Sequence, residues 1–280
     1  MLRTLAYLGS LIIVSLMILT ALPAPAVAQS GTTPSMIFIP LITSISPPLP
    51  LTWLERVNSY RMRAGVPPVT EISTLSDNCW QHARYMAENN HLTHEQDFSK
   101  PYASEAGQTC GTRGNAWIGY GSGWQPADAI DSWMASIGHR LWLLYPTTPS
   151  FGFGFYTISN GQRSAAALDV LSQFNDGSSY PSWPVRYPGD GQTDVPATKY
   201  PITLHWRYFG STPTVSSVTL NVVGGEAIPY TVTTSLPANH KGIAITPVNN
   251  LPANSLIKVT VSGLYDGQPF TLTWQFQTGS

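Results

Sequence analysis

Two of the chain's six histidines stand where an imidazole can do more than pack. His94 ends the run Asn89-Asn90-His91-Leu92-Thr93-His94, just past a predicted helix. His139 directly follows another, in Trp133-Met134-Ala135-Ser136-Ile137-Gly138-His139-Arg140. Neutral imidazole binds divalent metals and moves protons near neutral pH. Brought together from two helix ends, His94 and His139 could share a divalent metal such as zinc. A well-held ion wants three or more protein ligands, so separate hydrogen-bonded rings are the plainer alternative. His82 falls on an apolar helix face, where a packed, hydrogen-bonded ring is the usual outcome. His91, His205 and His240 read as surface or strand residues.

Other chemistry finds little support. No Gly-x-Ser-x-Gly elbow accompanies the histidines, so a serine triad has no nucleophile. Gly119-Tyr120-Gly121-Ser122-Gly123 lacks the following Lys-Ser/Thr of a phosphate loop and reads as flexible loop. Of the nine tryptophans, Trp117, Trp124, Trp133 and Trp142 could line a sugar or lipid groove, though core packing is the commoner use.

The elements that must position these residues follow from hydrophobic spacing. Leu51, Leu54, Val57, Asn58, Arg61 and Ala64 recur at helical intervals, stopped by Gly65 and Pro67-Pro68. Leu75, Cys79, His82, Ala83, Met86 and Asn90 share one face of a second helix. A third runs from Pro126 to Ile137, with Pro126 at its first position and Gly138 as a left-handed stop. Strand-like runs lie at Ala116–Tyr120, Phe151–Ile158 and Ser164–Val170, the last two a hairpin around Asn160-Gly161. From Ile202 onward, six or seven short alternating runs rich in Thr, Val and aromatics carry no helical stripe, as in a β-sandwich.

The start of the chain reads as an address. Arg3, an apolar stretch from Leu5 to Leu22 and the small-residue exit through Ala28 form a secretory signal peptide cleaved after Ala28. An uncleaved anchor is the alternative. Cleavage leaves no stable membrane span. Residues 29–50 form a Pro/Ser/Thr-rich linker in which Met36 to Ile42 could dock as an edge strand. Export gives Cys79 and Cys110 a context in which a disulfide forms more readily than two buried free thiols persist. Charge is sparse: 10% of 280 residues against roughly a quarter in an average domain, with net charge −1. That balance offers no footprint for nucleic acid or an anionic membrane.

Several motifs, in order, carry a resemblance: Asn58-x-x-Arg61-x-x-x-Gly65; Ala83-x-x-Met86-Ala87 leading to Thr93-His94; Trp133-Met134-x-Ser136-x-Gly138-His139-Arg140; Leu143-Leu144-x-Pro146; and Phe151-Gly152-x-Gly154. Residues 51–170 thereby resemble the CAP superfamily of cysteine-rich secretory, antigen 5 and pathogenesis-related-1 proteins, in its bacterial secreted form. The resemblance implies an α+β fold, an α-β-α sandwich, with a central cleft holding His94 and His139, and with Asn115 and Ser136 on its wall. Many members add two acids. Here Gly114 stands where the first glutamate would, and Ser136 near the second. Glu95, Asp97 or Glu105 could reach the cleft instead, but each reads as a solvated loop acid.

Tyr187 to Pro196, the Thr/Val strands and Thr273-Trp274-Gln275-Phe276 resemble bacterial Ig-like domains of secreted proteins. The resulting division is a signal peptide at 1–28, a linker at 29–50, a CAP-like domain at 51–175, a linker at 176–186 and an Ig-like β-sandwich at 187–280. Without the acids, the reading leans away from an enzyme. It points to a secreted, extracellular protein binding a small molecule, lipid, glycan or protein at the cell surface. The alternatives are a metal-dependent hydrolase using His94 and His139, and a structural or adhesive envelope protein acting through the Ig-like domain.

Overall fold

The computed structural model describes residues 52–280; the expected signal peptide, the linker and the edge strand at 36–42 lie outside the described residues. Helix α1 (Trp53–Arg63) opens with a capping box. Thr52 accepts the Glu55 amide through its hydroxyl, and the Glu55 carboxylate accepts the Thr52 amide, satisfying donors the helix itself leaves free. After Ala64 the chain turns at Gly65, at φ +70°, a conformation that costs glycine little. Helix α2 (Ser73–Asn89) ends on Asn90 in the left-handed conformation. A short helix that the spacing does not predict, α3 (Glu105–Gly111), is capped by Ser104 and carries Cys110. Cys79 and Cys110 form a disulfide, which ties α2 to α3.

Strands β1 (Thr70–Glu71), β2 (Gly114–Tyr120), β3 (Ser150–Thr157) and β4 (Arg163–Asp169) build a sheet in the order β1-β3-β4-β2. The β3–β4 hairpin turns through Asn160-Gly161, with Gly161 at φ +70°. Helices cover both faces, as the two-residue period of β4 records. Ala165 and Ala167 pack with Cys79, Tyr85 and Met86 of α2, while Ala166 and Leu168 join Val57, Ile130 and Trp133 on the other side. Helix α2 lies so close that a β-carbon at Gly154 would fall 2.0 Å from the Trp80 amide nitrogen.

The third helix differs from its expected course. Helix α4 (Pro126–Ala135) stops at Ser136, whose backbone is extended (φ −102°, ψ 130°), and α5 (Ile137–Leu143) begins at once. Gly138 is therefore a residue of α5, not a left-handed stop. The Ser136 carbonyl accepts the Arg140 amide at 3.0 Å, so the extended residue starts a second helix instead of a loop. His139 consequently stands in the first turn of α5.

The C-terminal part holds β5 (Val185–Tyr187), β6 (Gln192–Val195), β7 (Ile202–His205), β8 (Thr214–Val222), β9 (Tyr230–Thr233), β10 (Gly242–Pro247), β11 (Leu256–Tyr265) and β12 (Gln268–Thr278). They form two four-stranded sheets, ordered β5-β7-β10-β9 and β6-β12-β11-β8. Their apolar faces, including Ile202, Ile243, Val259 and Trp274, join the same core as Val57 and Trp133. The expected linker segment takes part in this packing: the Trp183 ring meets Tyr145 and His205, and Val185 is buried in β5. Arg140, fully buried, donates from Nε to the Met134 carbonyl and from Nη1 to the Pro201 carbonyl, and Tyr200 Oη donates to the Met134 carbonyl. His205 and His240 both lie inside this junction, 1% and 2% exposed. His240 is thus neither surface nor strand, because Trp142 and Tyr208 close over it.

Candidate functional site

A cavity of about 400 Å³ opens where α5, the end of α3 and strand β2 meet. His94, Asn115, Ser136 and His139, distant in sequence, all line it. Each is placed by local structure. His94 is exposed, and its Nδ1 lies 2.9 Å from the Gly111 carbonyl. A carbonyl only accepts, so Nδ1 carries the hydrogen and the Nε2 lone pair of the neutral ring is left free. The His94 segment is held in turn by His82. His82 Nε2 donates to the Thr93 carbonyl at 2.9 Å, and its Nδ1 accepts Gln96 Nε2 at 3.0 Å. Gly111 permits this approach, since a β-carbon there would lie 2.4 Å from the His82 ring. Burial, and then the charge of His94, hold His82 below its ordinary value; the Thr93 carbonyl acts in the opposite sense.

His139 Nδ1 lies 3.0 Å from Ser136 Oγ, so the residue that breaks α4 also orients the imidazole. Burial lowers the His139 pKa, and the neighbouring charge of His94 lowers it further. Both causes favour a neutral ring at pH 7. Asn115, on β2, is 3% exposed and donates to the His139 carbonyl at 3.4 Å. Its carbonyl oxygen Oδ1 is buried without a partner among the described residues. Such an acceptor costs stability unless something donates to it.

The remaining wall is mostly apolar: Trp142, Leu171, Pro237 and Ala238, with Thr112 at the rim. Trp142 is one of the four tryptophans suggested by the sequence. Trp117 and Trp133 pack in the core, and Trp124 stands at the surface. Pro237 and Ala238 belong to a short 3₁₀ turn between β9 and β10 (Pro237–Asn239), and no local signal links them to His139.

Among the described residues no acidic side chain lines the cavity. Glu95, Asp97 and Glu105 are all exposed, and the Asp97 carboxylate is engaged by Ser99. Nor, among the described residues, is any group of three His, Cys, Asp or Glu placed to hold a metal ion. Two imidazoles beside an amide and a hydroxyl do not fit zinc, which takes three protein ligands even in its open sites. The described lining likewise offers no carboxylate to serve as a general base.

No curated protein matches the chain. Among solved structures it is similar to an outer surface protein from Borrelia burgdorferi, at 16% identity over 40% of this chain and 84% of that one, with a TM-score of 0.30. Residues 54–172 match the family model CAP, described as the cysteine-rich secretory protein family, which supports a CAP domain over the stretch that carries His94, Asn115, Ser136 and His139.

Proposed function

We propose that this chain binds a small uncharged ligand in the cavity at His94, Asn115, Ser136 and His139, and that it does so without catalysing a reaction. The observation that carries this reading is the unpartnered Oδ1 of Asn115, a buried acceptor at the cavity wall. A ligand N–H or O–H would satisfy it, and the free Nε2 of His94 offers a second acceptor. With no acid on the described lining and a neutral His139 ring favoured, neither a cation nor an anion finds a fixed counter-charge there. Trp142, Leu171, Pro237 and Ala238 accept an apolar flank. The ligand class is therefore a neutral molecule with a hydrogen-bond donor beside an apolar body.

The Cys79–Cys110 disulfide supports action outside the reducing cytosol. We read the two C-terminal sheets as an Ig-like module beginning near residue 187, whose contribution is to complete and support the cavity. Benzyl alcohol, benzoate and benzylammonium test the ligand class. In nuclear magnetic resonance titrations, benzyl alcohol should move the Asn115 side-chain amide and the His94 and His139 ring signals, with an affinity of about 1 mM. The charged analogues should leave them in place. Equal response to benzoate, or no response to any of the three, rules the reading out.

A further inference from the structure

The cavity's roof comes from outside the stretch that matches the CAP model. Pro237 and Ala238 stand over it, carried between β9 and β10 of the C-terminal sheets. The turn sits hard against α5: a β-carbon at Gly138 would lie 3.0 Å from the Pro237 β-carbon.

This segment is built unlike a permanent wall. Ala238 and Asn239 both adopt left-handed backbone, at φ 50° and 58°. Two successive non-glycine residues there store strain that surrounding contacts must hold. Those contacts are few. Residues 237–239 are exposed, and Leu236 and His240 pin the two ends. Leu236 packs on Leu141 and Ala244. Tyr208 Oη donates to the Ala238 carbonyl at 3.0 Å, and Lys241 Nζ donates to Asn239 Oδ1 at 2.9 Å.

The other end is the unusual one. The His240 ring is buried, its centroid 4.2 Å from that of Trp142, a residue that also lines the cavity, and 5.4 Å from that of Tyr208. Both its nitrogens lack partners among the described residues. An imidazole spending two polar atoms inside an aromatic pocket needs a reason that phenylalanine would not supply.

We propose that the segment Leu236–His240 is a movable roof that controls entry to the cavity, latched by the neutral ring of His240 against Trp142 and released when that ring takes up a proton. The proposal rests on the ligand reading only for what passes the roof; the latch can be tested with no ligand present. The groups facing His240 agree in direction. Tyr208 and Trp142 present aromatic rings to it, Lys241 follows it in sequence, and the buried His205 is itself pushed well below its ordinary value by burial and by His240. Among the described residues no acid faces the ring to stabilise its charged form. Burial holds His240 down to about 4, against 6.5 for an open ring. Between those values the released ring binds a proton and the latched ring does not. The closed roof is therefore fully favoured above pH 6.5 and loses ground steadily as pH falls towards 4, by on the order of 10²-fold in the closed-to-open ratio.

Amide hydrogen exchange on the whole protein, corrected for intrinsic rates, reads this directly. From pH 7 to pH 4 the His240 amide, which donates to the Pro237 carbonyl at 3.2 Å, should lose protection on the order of 10²-fold while β10, β11 and α2 keep theirs. His240→Phe keeps the ring packing but cannot be protonated, so it should abolish the pH dependence. Gly138→Ala pushes on Pro237 and should raise exchange of the His240 amide already at pH 7. Protection kept at pH 4, protection lost together with the sheets, or an unchanged transition in His240→Phe each overturns the latch. A working latch with no benzyl alcohol response would instead sink only the ligand reading. Ligand binding without any local transition would leave that reading standing and remove the roof.

Discussion

Asn115 illustrates how a residue in this cavity can be tested apart from the fold. Its Oδ1 is buried and unpaired among the described residues, and its amide makes one long bond, 3.4 Å, to the His139 carbonyl. Replacing it by leucine removes an unsatisfied acceptor and keeps similar bulk. We expect Asn115→Leu to hold or raise stability, by up to about 1–2 kcal/mol in denaturant unfolding, while benzyl alcohol binding falls at least about tenfold. A parallel loss of both would make Asn115 a structural residue only. His139 sets the pH range. Because burial and His94 hold His139 below 6.5, its ring stays neutral above that value. Binding should stay flat from pH 8 to 6.5 and weaken only as the ring charges at lower pH. A steep change near pH 7.5 would mean that another group controls the site. His82 acts at one remove, fixing Thr93 and Gln96 and so the approach of His94.

At the scale of elements, the motif residues that carry the CAP resemblance prove to be fastenings. Asn58 exchanges two hydrogen bonds with the Val69 backbone, at 2.9 and 2.8 Å. Arg61, buried, donates to the carbonyls of Pro67, Leu143 and Tyr145 and so ties α1 to the end of α5. The disulfide fixes α3, and with it Gly111 and the His94 ring. Cys79→Ser with Cys110→Ser should cost about 3 kcal/mol and lower Tm by roughly 6–12 °C. His94 should lose its ordered ring signal before the sheet melts. If Tm does not move, α3 is held by its other contacts. The α4–α5 break shows why spacing missed a boundary. The stripe Ile130, Trp133, Met134 and Ile137 continues in phase across Ser136, so periodicity sees one helix where backbone geometry makes two.

For the whole molecule, the junction between the CAP stretch and the C-terminal sheets is buried and aromatic. Arg140 is buried under Tyr187 and Tyr200, with ring centroids 5.1 and 4.5 Å from its guanidinium carbon. The described residues, 52–280, fall in one compact unit. We therefore expect a single unfolding transition in urea, with far-ultraviolet circular dichroism and tryptophan fluorescence coincident. Two separated transitions would show that the sheets are an independent domain. Arg140→Met should lower the midpoint by the equivalent of about 2–4 kcal/mol, because the Met134 and Pro201 carbonyls lose a buried donor together.

The amino-acid sequence by itself determined most of the local elements, though not α3 or the α4–α5 break, and it singled out His94, Asn115, Ser136 and His139 as candidates. The α2 stripe, the Asn160-Gly161 hairpin and the run ending at His139 are short-range features, set by backbone geometry and the period of apolar residues. The absence of acids near Gly114 and Ser136 was equally legible, since it needs only residue identity. Tertiary structure alone decided the other half. Pro237, Ala238 and His240 carry no pattern that points to α5, and their role arises because two sheets bury a common aromatic core against Trp142 and Arg140. Such contacts depend on the closure of long loops and on side-chain packing, and neither leaves a periodic trace along the chain.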